Sequence, residues 1–196
     1  DLLGEATVSE VEADEYAARY RELIESLSRE VSAWRDDPLL DTDDRGPIPR
    51  VNVSVKVSAL YSQFDPLAFD ESVERAAARL VPLLELAKER GVFVNLDMEH
   101  YALKDLTYAL FKRAASDPRL EGYEHMGVVV QAYLRDSEGD LNDLIAWAKK
   151  HKKRVTIRLV KGAYWDYETI HATQEGWPSP VWLDKADSDA HFERLS

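Results

Sequence analysis

Val51-Asn-Val-Ser-Val-Lys-Val-Ser58 carries the fold: valine holds every odd position, and Asn52, Ser54, Lys56 and Ser58 hold the even ones. Alternation of period two with β-branched residues predicts a strand with one apolar and one polar face. Three further β-rich runs follow at 92–97, 126–133 and 154–160, and helical patterns over about 70–90, 103–116 and 138–150 separate them, with Gly91 placed to stop the first helix. Strand and helix in strict alternation predict βαβ units and a parallel sheet. Residues 164–173 read as a fourth helix, closed by the Gly176-Trp-Pro-Ser-Pro180 turn.

Upstream, Ser9 and Glu12 have capping-box spacing, and apolar residues from Val11 to Trp34 recur at helical intervals, so a long helix is predicted over about 9–34. Between Asp36 and Arg50 stand five aspartates, three prolines and one glycine, the composition of a surface connection. The division is therefore 1–50, an N-terminal helix and its connecting loop, and 51–196, the strand-helix region. The chain opens at Asp1 without methionine and stops at Ser196 inside a helix-like pattern, so both ends read as cut. Four units cannot close an eight-stranded barrel, which takes roughly 250 residues, and an open doubly wound sheet also fits the length. No strand, however, is followed by a Gly-x-Gly-x-x-Gly turn.

Composition narrows the functional classes. With 37 acids against 25 Lys and Arg, the net charge of -12 disfavours nucleic acid and anionic membrane surfaces as direct partners. The absence of cysteine excludes disulfides, thiolate metal sites and cysteine nucleophiles, and suits a reducing, cytosolic compartment. No run approaches the roughly 20 apolar residues of a membrane span.

Parallel strands covered on both faces read as continuous apolar runs, so polar residues inside them carry information. Asn95 and Asp97 share a face of the second run, Gln131 follows three valines in the third, and Thr156 and Arg158 interrupt the fourth. In a barrel the valine faces meet the helices, while Lys56, Asp97, Gln131 and Arg158 converge at strand ends inside the top rim. Singly, a strand-end Lys or Arg is more often a solvated charge, and an Asp a helix cap. Four at equivalent ends point to a site. Burying such ions costs on the order of several kcal/mol each without partners, which implies an anionic or strongly polar ligand, with Asp97 balancing a cation.

Arg158-Leu-Val-Lys-Gly-Ala-Tyr-Trp-Asp166 is the densest site signal. Lys161 and Gly162 lie between strand and helix, where glycine admits a ligand close to the backbone and the helix N-terminus favours negative charge. The bland alternative, a helix-start turn with two core aromatics, weighs equally on the residues alone.

This segment resembles the most specific motif of the proline dehydrogenase domain of bacterial bifunctional proline utilisation proteins. Four other stretches resemble that family in the same order: Asp1-Leu-Leu-Gly-Glu-Ala6, Val53-Ser-Val-Lys-Val-Ser-Ala-Leu60, Val94-Asn-Leu-Asp-Met-Glu99 and Val129-Val-Gln-Ala-Tyr133. The resemblance covers essentially the whole chain and implies the first four units of a (β/α)8 TIM barrel. It implies FAD-dependent oxidation of L-proline to Δ1-pyrroline-5-carboxylate, a quinone as electron acceptor, and a cytoplasmic protein with peripheral contact to the inner membrane through its parent. Carried over by motif, Arg158 lies near flavin N5, Gln131 at the polar edge of the isoalloxazine, and Lys161, Gly162 and Ala163 along the cofactor tail. Trp165 lines the same pocket, and Lys185 stands where the family has another cofactor-contacting lysine. Lys56, Asp97 and Tyr164 face the proline side, the last two touching the cofactor as well. Leu183 departs from the family, where a threonine is usual. The paired arginines that clamp the proline carboxylate fall beyond Ser196, so the missing barrel half is required and the segment alone is expected to be inactive.

Two other readings compete. Asp97, Glu99 and His100 could seed a divalent metal site of the aldolase or hydrolase type, although Lys56, Gln131 and Arg158 at the other strand ends suit an anion better. A non-catalytic fragment serving as a scaffold is the third.

Overall fold

The computed structural model describes Leu2 and residues 6–196. Of the opening motif Asp1–Ala6, only Leu2 and Ala6 fall within that range.

Helix α1 (Glu10–Val31) starts where the capping chemistry predicts, with Ser9 Oγ accepting the Glu12 N–H at 3.2 Å. The reciprocal arm of the box reaches one residue further back, so that the Glu12 carboxylate accepts the Val8 N–H at 2.8 Å. The helix ends three residues short of Trp34, which is exposed. The 36–50 connection carries a single helical turn, Pro38–Asp41, and a two-residue antiparallel ladder between Thr42–Asp43 and Gly46–Pro47. Arg50 gathers it by pairing with Asp36 and Asp41 and donating to the Trp34 carbonyl at 3.2 Å.

Four parallel strands follow, with a helix after each: β1 (Asn52–Val55), α2 (Phe69–Arg90), β2 (Phe93–Leu96), α3 (Lys104–Ala115), β3 (Met126–Gln131), α4 (Ser137–His151), β4 (Thr156–Val160) and α5 (Trp165–Glu175). A last helix, α6, runs from Lys185 to Leu195. The strands hydrogen-bond in sequence order, β1-β2-β3-β4. Gly91 stops α2 in the left-handed conformation, with φ 63°.

The core lies between the sheet and α1, α2 and α3. Val53 and Val55 of β1 meet Leu80 and Leu84 of α2, Leu96 of β2, Leu106 and Phe111 of α3, and Val128 and Val130 of β3, all of them buried in one cluster. Each such side chain contributes about 1.5–3 kcal/mol. Tyr20 of α1 enters the same cluster, and its hydroxyl accepts the Lys56 N–H at 3.1 Å. Burial pushes that phenol up to about 12.

Two strand ends differ from the sequence reading. β1 stops at Val55, and Val57–Ala59 form a 3-10 turn, so Lys56 sits at a bend and Ser58 has left the sheet. The turn forms because Ser58 is claimed from above: its N–H and Oγ donate to the two Glu99 carboxylate oxygens at 3.1 and 2.5 Å. Arg158 lies inside β4 and does not close it, since the ladder continues to Val160, opposite Gln131. β3 is buried along its whole length, whereas β4 is an edge with Thr156 and Arg158 exposed.

Candidate active site

The register aligns the polar face. Ser54 pairs with Asn95, Asn95 with Gly127, and Gly127 with Thr156, and the next polar residues along β2 and β4 are Asp97 and Arg158. The site is a cleft of about 390 Å3 lined by Lys56, Asp97, Gln131, Arg158, Lys161, Gly162, Ala163 and Tyr164. Met98, Val129 and Val160 supply its apolar wall. Eight sequence-predicted residues are thus brought together by one parallel sheet and the turn that follows it.

Arg158 spans the cleft. Its guanidinium pairs with Asp97 and donates to Ser54 Oγ at 3.0 Å, reaching from the fourth strand to the first. The Asp97 side chain is 11% exposed and that of Arg158 45%, so the cation keeps donors toward open space. Gln131 is buried, with Nε2 donating to the Glu99 carbonyl at 3.4 Å. Its Oε1 is buried with no hydrogen-bond partner among the described residues.

The β4–α5 turn supplies the other end. Gly162 has φ 135°, a conformation that side-chain-bearing residues rarely adopt, and a Cβ built there would lie 2.4–2.5 Å from the Tyr133 ring. Lys161 and Lys185 donate to the two oxygens of Asp189 at 2.5 and 2.6 Å. Hydrogen bonds from Lys161 and then Lys185 hold that carboxyl below the ordinary carboxylate range.

Trp165 and Lys185 do not line the cleft. The indole of Trp165 donates to the Trp182 carbonyl at 2.9 Å, fastening the start of α5 to the segment before α6. Lys185 projects from the first residue of α6 and is largely exposed.

A family model described as proline dehydrogenase matches residues 1–196. This chain belongs to the proline dehydrogenase family. It is 30% identical over 193 residues to the bifunctional protein PutA of Klebsiella aerogenes, covering 98% of this chain and 14% of that protein. Against the proline dehydrogenase of Deinococcus radiodurans it is 31% identical over 198 residues, covering 100% of this chain and 50% of the other. The crystal structure of proline utilization A from Bdellovibrio bacteriovorus inactivated by N-propargylglycine superposes with a TM-score of 0.94 at 49% identity, over 98% of this chain and 20% of that one. The chain spans half or less of the length of each.

Within this proline dehydrogenase segment the residues suit a flavin. An orphaned amide oxygen on Gln131 fits a ring N–H, Lys161 at the turn fits a phosphate, and a glycine packed on Tyr133 keeps the backbone approachable. The metal alternative loses its ligands to other partners, because Asp97 pairs with Arg158 and Glu99 with Ser58. Among the described residues no three His, Asp or Glu side chains gather as a metal site.

Three contributors to the site escaped the sequence reading. Asp189 carried a signal, standing four residues after Lys185 on one helix face. Ser54 was visible only as part of the polar face of β1. Tyr133, which sets the shape of the turn, read only as the last residue of the 126–133 run and of its family-like motif.

Proposed function

We propose that this chain forms the first half of a (β/α)8 barrel that oxidises L-proline to Δ1-pyrroline-5-carboxylate, with FAD as the resident oxidant and a quinone as the final acceptor. The observation that carries the reading is the convergence of Lys56, Asp97 and Gln131, at or just past the C-terminal ends of three parallel strands, with Arg158 from within the fourth, beside a lysine-glycine turn. The strand order supports the barrel, since (β/α)8 folds add strands in sequence and place their chemistry at that rim.

FAD, when bound, supplies the two-electron oxidation of the proline C–N bond to C=N, taking hydride from the ring carbon next to nitrogen. The chain's own groups do the rest. Asp97 and Ser54 fix the Arg158 guanidinium as a positive charge in the cleft, where it would stabilise negative charge on a bound acceptor. Gln131 offers Oε1 to a ring N–H. Lys161 and Lys185, released from Asp189, would hold the phosphates. Met98, Val129 and Val160 exclude water from the reacting face, and Lys56 brings an ammonium to the substrate side.

The remaining family length would supply the proline carboxylate clamp and close the exposed edge of β4, so this segment alone should bind FAD weakly. No described helix is long and apolar enough to cross a membrane. Contact with a quinone pool would be peripheral and made by the parent protein, on the cytoplasmic side of the inner membrane, as the family resemblance implies. Anaerobic addition of L-proline to the intact protein tests the reading. Bleaching of an oxidised flavin spectrum is expected, and a protein purified with no flavin that also fails to acquire one would overturn it.

A further inference from the structure

A second pocket, of about 430 Å3, shares no lining residue with the cleft. It is built from three successive connections: His100–Ala102 after β2, Arg135–Asp136 after β3, and the α5 helix with the Trp177–Pro180 turn that follows it. Its walls are rings in sequence, with His100 to Tyr167 at 5.4 Å, Tyr167 to His171 at 5.7 Å and His171 to Trp177 at 5.6 Å between centroids. Tyr101 adds a further ring. Tyr167 is 49% exposed and Trp177 60%, so a contiguous aromatic surface faces open space.

The charged groups of this pocket are unequal. Glu168 is only 4% exposed, and one of its carboxylate oxygens accepts the Tyr101 N–H at 2.5 Å. Burial raises its pKa, an unfavourable desolvation of the anion that a cation in the pocket would relieve. Asp136 stands beside it, accepting from the Tyr101 hydroxyl at 3.0 Å. Arg135 on the rim lies over the Trp182 ring at 5.0 Å, while the Lys104 ammonium lies 3.4 Å from Asp136 and 5.7 Å from the Tyr101 ring centre, so Asp136 is already paired and Glu168 is the acid left to meet a ligand's charge.

We propose that this pocket binds a small organic cation, a substituted ammonium with an apolar body, whose charge meets Glu168 and whose methyl or ring carbons meet Tyr101, Tyr167 and Trp177. Aromatic faces carry negative quadrupole potential, and an ammonium among them gains from both the rings and the carboxylate. An inorganic cation would forfeit too many water ligands to one available carboxylate and a wall of carbon. An anion would meet the Glu168 carboxylate. The volume is that of ordinary small-molecule sites. The proposal is independent of the flavin reading, since it uses none of the cleft residues.

Choline and its neutral isostere 3,3-dimethylbutanol are the probes, titrated by calorimetry into the intact protein. Choline should bind saturably, and the isostere about 10-fold more weakly or worse. Glu168→Gln and Trp177→Ala should each weaken choline by about 10-fold. Because Glu168 also ties the chain to Tyr101, the exposed Tyr167→Ala serves as a second variant that the fold should tolerate, with a loss of about threefold or more. Equal binding of choline and the isostere, indifference to both aromatic variants, or no saturable choline binding would overturn the assignment.

Discussion

Lys104 at the start of α3 and Arg158 within β4 are both cations beside aspartates, and their surroundings are opposite. The Lys104 side chain is 5% exposed, and its ammonium lies 2.9 Å from Asp105, 2.8 Å from Asp140 and 3.4 Å from Asp136, near the rings of Tyr101 and Tyr108. It locks the start of α3 to the start of α4 and has no donor to spare. Arg158 is half-exposed and holds only Asp97 and Ser54. A saturated ion is scaffold, while an ion held on one side and open on the other is poised for a ligand. Residue type does not separate the two cases; the number of partners does.

Removing the buried partner should have the largest effect. Lys104→Met leaves three carboxylates around an apolar chain and should cost about 3–5 kcal/mol in chemical denaturation, with flavin retention in the surviving folded protein little changed. The pH dependence sharpens this. Burial alone would lower the Lys104 pKa, but Asp140, Asp105 and Asp136 outweigh it and raise the value above 10.5. A folded value above the unfolded one contributes stability that is fully present below about 10.5 and lost as pH climbs through the folded value. Wild-type protein should therefore lose stability in that alkaline window, and Lys104→Met should lack that component.

Gly162→Ala should come next. Its Cβ would lie 2.4 Å from the Tyr133 ring, at φ 135°, so a cost of about 1–3 kcal/mol is expected together with weaker flavin retention. Tyr133→Ala in the same chain should recover part of both, because it removes the Cγ and ring atoms that clash while the backbone strain stays. No recovery would mean that the turn is shaped by something other than Tyr133.

Asp189→Asn should act least. Exposed ion pairs are worth about 0–1 kcal/mol. Freeing Lys161 and Lys185 from their shared acid should tighten flavin binding by no more than about fivefold and steepen its salt dependence. Looser binding would make Asp189 a brace that aligns the lysines rather than a competitor for them.

The comparison also shows what sequence can carry. The period-two valines of β1 and the order of four strand-helix units were legible, because alternation reports burial directly; Lys56, Asp97, Gln131 and Arg158 followed from polar strand positions, and Lys161, Gly162, Ala163 and Tyr164 from the 158–166 segment and its family resemblance. Strand ends were harder. Lys56 and Ser58 continue the alternation in sequence, yet Glu99, 41 residues away, takes Ser58 out of the sheet. Asp189 was overlooked because its second lysine partner lies 28 residues upstream, in the turn after β4. The Lys104 cluster was invisible for the same reason: two of its three acids come from the neighbouring helix region. What sequence lacks is the partner across elements, and partners decide whether a charge is scaffold or site.

Arg158→Met in the intact protein is the direct test, read by denaturation and by potentiometry with stopped-flow reduction of the flavin. The account predicts a stability loss of about 1–3 kcal/mol, smaller than for Lys104→Met, since Arg158 is 45% exposed although its removal leaves Asp97, 11% exposed, without its cation. It predicts at the same time a lower flavin potential and a reductive half-reaction slowed roughly 10²-fold. Loss of several kcal/mol of stability with an unchanged potential and rate would contradict it, because Arg158 would then behave as Lys104 is expected to.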